Sequence, residues 1–168
     1  MMTVKDYIIK EYPKIQLFDS VEKVKEIIVK ETFAVVMDED ERKGLITIEE
    51  IAENYKKLRQ YEEALDYCKK AYDIDEKFDY ALTRGLIILS LGEVYYELEE
   101  YEKVGELSFQ ALEYLKKYNH TIAEADAYKL IALSLWKKGH YDKADEYFHI
   151  AMELNEKEAL PNYKIEAL

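Results

Sequence analysis

Apolar residues return at steps of three and four through most of the chain. In "YEEALDYCKKAYDID", starting at Tyr61, they fall at Tyr61, Ala64, Leu65, Cys68, Ala71 and Tyr72, which is one stripe of an amphipathic helix. The spacing recurs without a gap in "YEKVGELSFQALEYL" from Tyr101 and "YDKADEYFHIAMELN" from Tyr141, an interval of 40 residues. Upstream of each, Ile48, Ile51, Ala52 and Tyr55 match Ile88, Leu91, Gly92 and Tyr95, then Tyr128, Ile131, Ala132 and Leu135. The pattern therefore predicts three 40-residue helix-turn-helix repeats, over about 45–84, 85–124 and 125–164. Their joints, "RQY", "EEY" and "GHY", are too short for anything but a tight antiparallel turn.

Before residue 45 the period changes. "PKIQLF" reads as a short extended segment after a proline, and "SVEKVKEIIVK" carries Val21, Val24, Ile27 and Ile28 at helical spacing. "TFAVVM" is a β-branched apolar run, and "DEDERKG" is a polar, solvated turn leading into "LIT". The predicted order is helix, strand, helix, strand, strand, helix: a small α/β unit over 1–51, with too little core to stand alone. No Gly-, Pro- or Ser-rich stretch lies between 44 and 61, so one helix over 48–58 serves both this unit and the repeat domain of 45–168. The expected fold class is mostly α, an α-helical solenoid preceded by a small α/β unit.

The repeats resemble the tetratricopeptide repeat (TPR) family over about 45–155. The resemblance rests on the small residue Ala52, Gly92 or Ala132 where paired helices approach, on Tyr61, Tyr101 or Tyr141 beside the turn, and on Ala71, Ala111 or Ala151 in the second helix. No Pro closes the second helices, and the interval exceeds the family's ~34 residues, so helices longer by up to two turns are expected. The first unit resembles a single cystathionine-β-synthase-type (CBS) motif over 3–51, in "TVKDYI", "DSVEKVKEII" and above all "FAVVMDEDERKGLITIEEI". That resemblance implies a phosphate contact at Thr47 and a ribose contact at Glu50, where the family has Asp, and so an adenosine nucleotide as ligand. The residues themselves offer a second reading. "TIEE" is a capping box in which Thr47 caps the helix and Glu50 returns the hydrogen bond. A single CBS motif needs a second one to enclose a ligand, which a homodimer would supply.

Charge narrows the partners. Lys and Arg number 24 against 36 Asp and Glu, and beyond residue 44 the counts are 16 and 26, so nucleic acid and anionic membranes lack the basic face they need. Basic or apolar peptides suit the chain better. No run of 18 apolar residues occurs and "MMTVKDYIIKEY" is not built like a signal peptide, so a cytoplasmic protein is expected. His120, His140 and His149 lack the spacing of a helical metal pair and read as surface or turn residues; no metal site is expected. Cys68, the only cysteine, reads as a small apolar filler. With no phosphate loop, nucleophile elbow or paired acid and base, no enzyme activity is expected.

The TPR resemblance implies a concave, peptide-binding surface on the first helices. By the spacing its residues are Glu53, Lys56 and Lys57, then Leu89, Glu93, Tyr96 and Glu97, then Lys129, Leu133, Trp136 and Lys137. The Lys and Asn pairs with which that family clamps C-terminal carboxylates are not at these places. Trp136 reads either as a groove anchor or as a residue packed against the C-terminal tail. The expected function is a non-catalytic scaffold that binds a protein or peptide; the alternative is an adenosine-nucleotide sensor whose repeats serve dimerisation. After Asn155 only "EKEALPNYKIEAL" remains, which predicts an exposed far face near Phe148 and Met152 and, with it, a homodimer.

Overall fold

The computed structural model describes residues 13–16, 19–20, 23–27, 33–38, 41–78 and 81–159. The helix expected ahead of Pro13 and the tail after Ala159 lie outside the described residues. Strands β1 (Lys14–Gln16), β2 (Phe33–Asp38) and β3 (Glu41–Thr47) form a sheet in the order β1-β2-β3. A helical stretch at 23–27 joins β1 to its parallel neighbour β2, with Ile15 opposite Val36, and β2 and β3 form an antiparallel hairpin. One face is apolar. Ile15 and Ala34 are buried there, with Val24, Ile27, Val36 and Ile46 packed around them.

Most of the polar run before "LIT" is strand rather than turn: β2 extends to Asp38, and residues 39–40 lie outside the described residues. β3 begins at Glu41, and Arg42 and Glu41 pair with Met37 and Asp38 past a bulge. An edge strand tolerates this composition: Glu41 and Lys43 are exposed and joined to each other at 2.8 Å, while one side of the backbone still pairs with β2.

Among the described residues six helices follow: α1 (Ile48–Lys57), α2 (Tyr61–Phe78), α3 (Ala81–Glu97), α4 (Tyr101–Lys117), α5 (Thr121–Lys137) and α6 (Tyr141–Ala159). Each packs on the next, and α3 also packs closely on α5. From α2 onward the helices begin at 61, 81, 101, 121 and 141, so the 40-residue repeat divides into two equal halves. The joints after α1, α3, α4 and α5 are built alike. Arg59, Glu99, Asn119 and Gly139 adopt left-handed φ values of 58°, 62°, 52° and 81°. In each, the next residue's N–H reaches back to close the helix end, as from Gln60 to the Tyr55 carbonyl at 3.0 Å and from His140 to that of Leu135 at 2.9 Å.

The core runs without a break from the sheet into the stack, because Ile15 and Ala34 belong to the same cluster as Ile48, Ile51, Ala64, Cys68 and Ile87. A second cluster centres on Ile88, Val104, Ala111, Leu115 and Ile131. Helix α1 is amphipathic, with Ile48, Ile51 and Ala52 buried and Glu49, Glu50 and Glu53 exposed. Helices α3 and α5 have neighbours on more than one side and bury residues all round, among them Gly85, Ile88 and Leu89, then Ala125, Leu130 and Ile131. A partly buried ion pair ties α2 to α3: the Arg84 guanidinium donates to the buried Asp75 carboxylate at 2.9 Å and to its carbonyl at 3.2 Å.

Candidate functional site

Helices α1, α3 and α5 are the first members of their pairs, and together with Tyr61 they wall a groove of about 370 Å³. Eight residues predicted for the concave surface line it: Glu53, Lys56 and Lys57 from α1, Glu93, Tyr96 and Glu97 from α3, and Lys129 and Leu133 from α5. Lys129 stands beside Asp126 at 3.5 Å. The 40-residue interval therefore brings matched positions of three helices to one surface.

Three predicted members lie elsewhere. Leu89 is buried at 6% exposure in the second core cluster, because α3 is packed on the side that faces α5 as well as on the side that faces α4. Trp136 and Lys137 stand beyond the groove, at the joint of α5 and α6. Trp136 is 51% exposed and meets Tyr141 edge to face at 6.1 Å, with the Lys137 ammonium 6.0 Å from its ring centre.

The groove's charges are mutually engaged. Lys56 donates to Glu53 at 2.6 Å and to Glu93 across the seam between α1 and α3. Burial alone would lower the Lys56 pKa, but the hydrogen bonds to the two carboxylates outweigh it and hold the ammonium above its ordinary value. Glu97 has a neutral donor, the Tyr61 hydroxyl at 2.9 Å, and that bond raises the tyrosine's pKa.

A second hollow, of about 350 Å³, lies between α1, α2 and α3 and shares Glu53 with the groove. Its lining is mostly apolar, from Ala52, Cys68, Ala71, Leu86 and Ile87, and its acidic members are Glu49, Glu50 and Glu53. Cys68 is 2% exposed, as expected of a filler, with its sulfur 3.7 Å from the Ser90 hydroxyl; burial pushes the thiol pKa up, which keeps it protonated at neutral pH. The hollow went unseen in the sequence, although a signal exists. Glu49 and Ser90 stand where the next pair of first helices has Leu89 and Leu130, both buried.

Thr47 and Glu50 sit where β3 becomes α1, and they form a capping box. The Thr47 hydroxyl accepts from the Glu50 N–H at 3.3 Å, and the Glu50 carboxylate accepts from the Thr47 N–H at 2.9 Å. His120 caps α5 through Nδ1, which accepts from the Ala123 N–H at 3.3 Å. Among the described residues no three His, Cys, Asp or Glu side chains come together as a metal site would require, and no helix is long and apolar enough to cross a membrane. On α6, Met152 is 56% exposed and Phe148 half-buried. A scan of family models finds no match to the chain, and a search of curated proteins finds none either.

Proposed function

We propose that residues 45–155 are a TPR-like repeat array that holds a peptide segment of a partner protein in the groove walled by α1, α3 and α5, without catalysis. The observation that carries this reading is the convergence of matched positions from three helices on one surface that mixes apolar, aromatic and charged side chains. A continuous core from sheet to stack supports the idea that the N-terminal CBS-like unit stiffens the array. Exposed Met152 and Ile150 on α6 support two-fold self-association, to be checked by light scattering over a wide concentration range.

The test is selection from a displayed random-peptide library, followed by affinity measurement on the purified chain. Selected peptides should bind more weakly to Tyr96→Ala and to Leu133→Asp, both folded by circular dichroism. Affinities indifferent to both substitutions would sink the groove reading. In the nucleotide-sensor reading, Thr47 and Glu50 would have to contact a ligand while also closing the helix cap. Calorimetric titration with AMP, ATP and S-adenosylmethionine separates the two: heat that depends on Glu50 would favour the sensor.

A further inference from the structure

We infer that the hollow between α1, α2 and α3 is an anchor site for a bulky apolar side chain flanked by Lys or Arg. The ligand class is thus a basic peptide with a leucine-like anchor, an assignment that rests on the peptide-groove reading. The repeat itself indicates what fits. Along the seam between α3 and α5 the matched places carry Leu89 and Leu130, each 6% exposed and packed into the core. Along the seam between α1 and α3 they carry Glu49 and Ser90, and the space stays open over Ala52, Cys68, Ala71 and Ile87. One more apolar side chain of leucine size is what the first seam lacks relative to the second. Leu86, 37% exposed at the edge of this space, adds apolar surface where the matched residue of the next repeat is Asp126.

Charge selects the residues around the anchor. The described residues lining the hollow include Glu49, Glu50 and Glu53 and no Lys or Arg; Glu50 closes the cap of α1 and Glu53 is joined to Lys56, so Glu49 is the carboxylate that meets the peptide first. The chain as a whole carries a formal charge of −12, which attracts cationic segments over a distance. Glu53 is also a wall of the larger groove, where Glu97 is hydrogen-bonded to a hydroxyl and not to an ammonium. A chain anchored in the hollow therefore meets a further carboxylate as it continues. Cys68 contributes apolar surface only, because its buried thiol is protonated.

The test uses three fluorescein-labelled synthetic peptides: a leucine flanked by lysines, the same leucine flanked by glutamates, and a serine flanked by lysines. Anisotropy should show binding of the first and little of the other two. Ser90→Leu, which copies Leu130 and fills the space, should weaken the first peptide about tenfold or more. Leu86→Ser, at a position exposed enough to leave the fold intact, should weaken it as well. Glu49→Gln should cost roughly threefold, lost at high salt, while Glu113→Gln on the exposed side of α4 changes nothing. Equal binding of the glutamate-flanked peptide, or an equal effect of Glu113→Gln, would overturn the assignment. If the leucine peptide binds and Tyr96→Ala weakens it while Ser90→Leu does not, the groove reading stands and the anchor site falls. If none of the three peptides binds, the anchor site falls, and the groove reading is decided by the library selection.

Discussion

The two seams between first helices are built from the same repeat and solve the same packing problem differently. Between α3 and α5 the helices approach closely and Leu89 and Leu130 fill the space. Between α1 and α3 the bridge is polar, from Lys56 to Glu93, beside a hollow that no described side chain fills. The cause lies upstream. By the 20-residue rhythm of the later helices α1 would begin at 41, but β3 takes residues 41–47, so α1 starts at Ile48 and covers less of α2 and α3. A repeat array that grows out of a sheet thus has an incomplete first layer, and the incomplete layer leaves the hollow open.

Exchanging residues between copies tests whether the seams differ for these reasons. The largest effect is expected at Gly85, whose counterpart in the next repeat is Ala125. A methyl built on Gly85 would lie 2.9 Å from the Tyr114 Cβ and 3.3 Å from the Leu115 side chain, so α3 and α4 would have to separate. Overpacking costs about 1–3 kcal/mol and the gain in helix propensity returns about 1, so Gly85→Ala should destabilise by up to about 2 kcal/mol in urea unfolding. A raised midpoint would mean that α4 yields easily.

Gly92 should behave oppositely. Its counterparts are Ala52 and Ala132, and an added methyl would meet the Ser108 hydroxyl at 3.5 Å and Leu130 at 3.7 Å, ordinary contact distances. Gly92→Ala should therefore stabilise by about 0.5–1 kcal/mol, the helix-propensity difference. A loss instead would show that the second seam is packed more tightly than the distances indicate.

A smaller effect, below about 1 kcal/mol, is expected from the polar bridge. The pKa of folded Lys56 lies above the ordinary 10.5, so the stabilisation it supplies is complete below that value and is lost as pH rises through the folded one. Lys56→Met combined with Glu93→Leu, the latter copying Leu133, replaces the bridge with side chains that do not titrate. Melting temperatures followed from about pH 9 to about pH 12 should fall more steeply for the native chain than for this variant. Parallel curves would remove the bridge as a source of the difference between the seams.

Much of this architecture was legible in the sequence because it rests on periodicity. The 40-residue interval located the helix pairs, and their register placed Glu53, Lys56, Glu93, Tyr96, Glu97 and Leu133 on one surface. Periodicity does not say how many neighbours a helix has, so Leu89 read as exposed although Ile87, Ile88 and Leu91 around it mark a helix buried on several sides. Of the left-handed turn residues Gly139 and Asn119 are of types that favour this conformation; Arg59 and Glu99 take it because the closing hydrogen bonds require it. The charged start of β3 was hidden by composition that normally marks a turn, and only its pairing with β2 reveals the strand.

The smallest expected effect concerns how α1 starts. Helix α5 begins on His120 and α4 on Glu100, which makes no side-chain cap, whereas α1, cut short by β3, begins on the reciprocal box of Thr47 and Glu50. Gln serves at the third helical position of such a box as Glu does, so Glu50→Gln should leave the melting temperature nearly unchanged. Glu50→Ala removes the bond to the Thr47 N–H and should cost about 0.5–1 kcal/mol. The pair of variants separates the two roles open to this residue. A cap needs the hydrogen bond and not the charge, whereas a ribose contact would be read in nucleotide affinity. If Glu50→Gln is neutral in melting but abolishes a calorimetric signal with AMP, Glu50 has a ligand-binding role beyond closing the helix. If both variants melt with the native chain, the box is not what fixes the start of α1, and the shortness of the first layer must be attributed to the pairing of β3 with β2 alone.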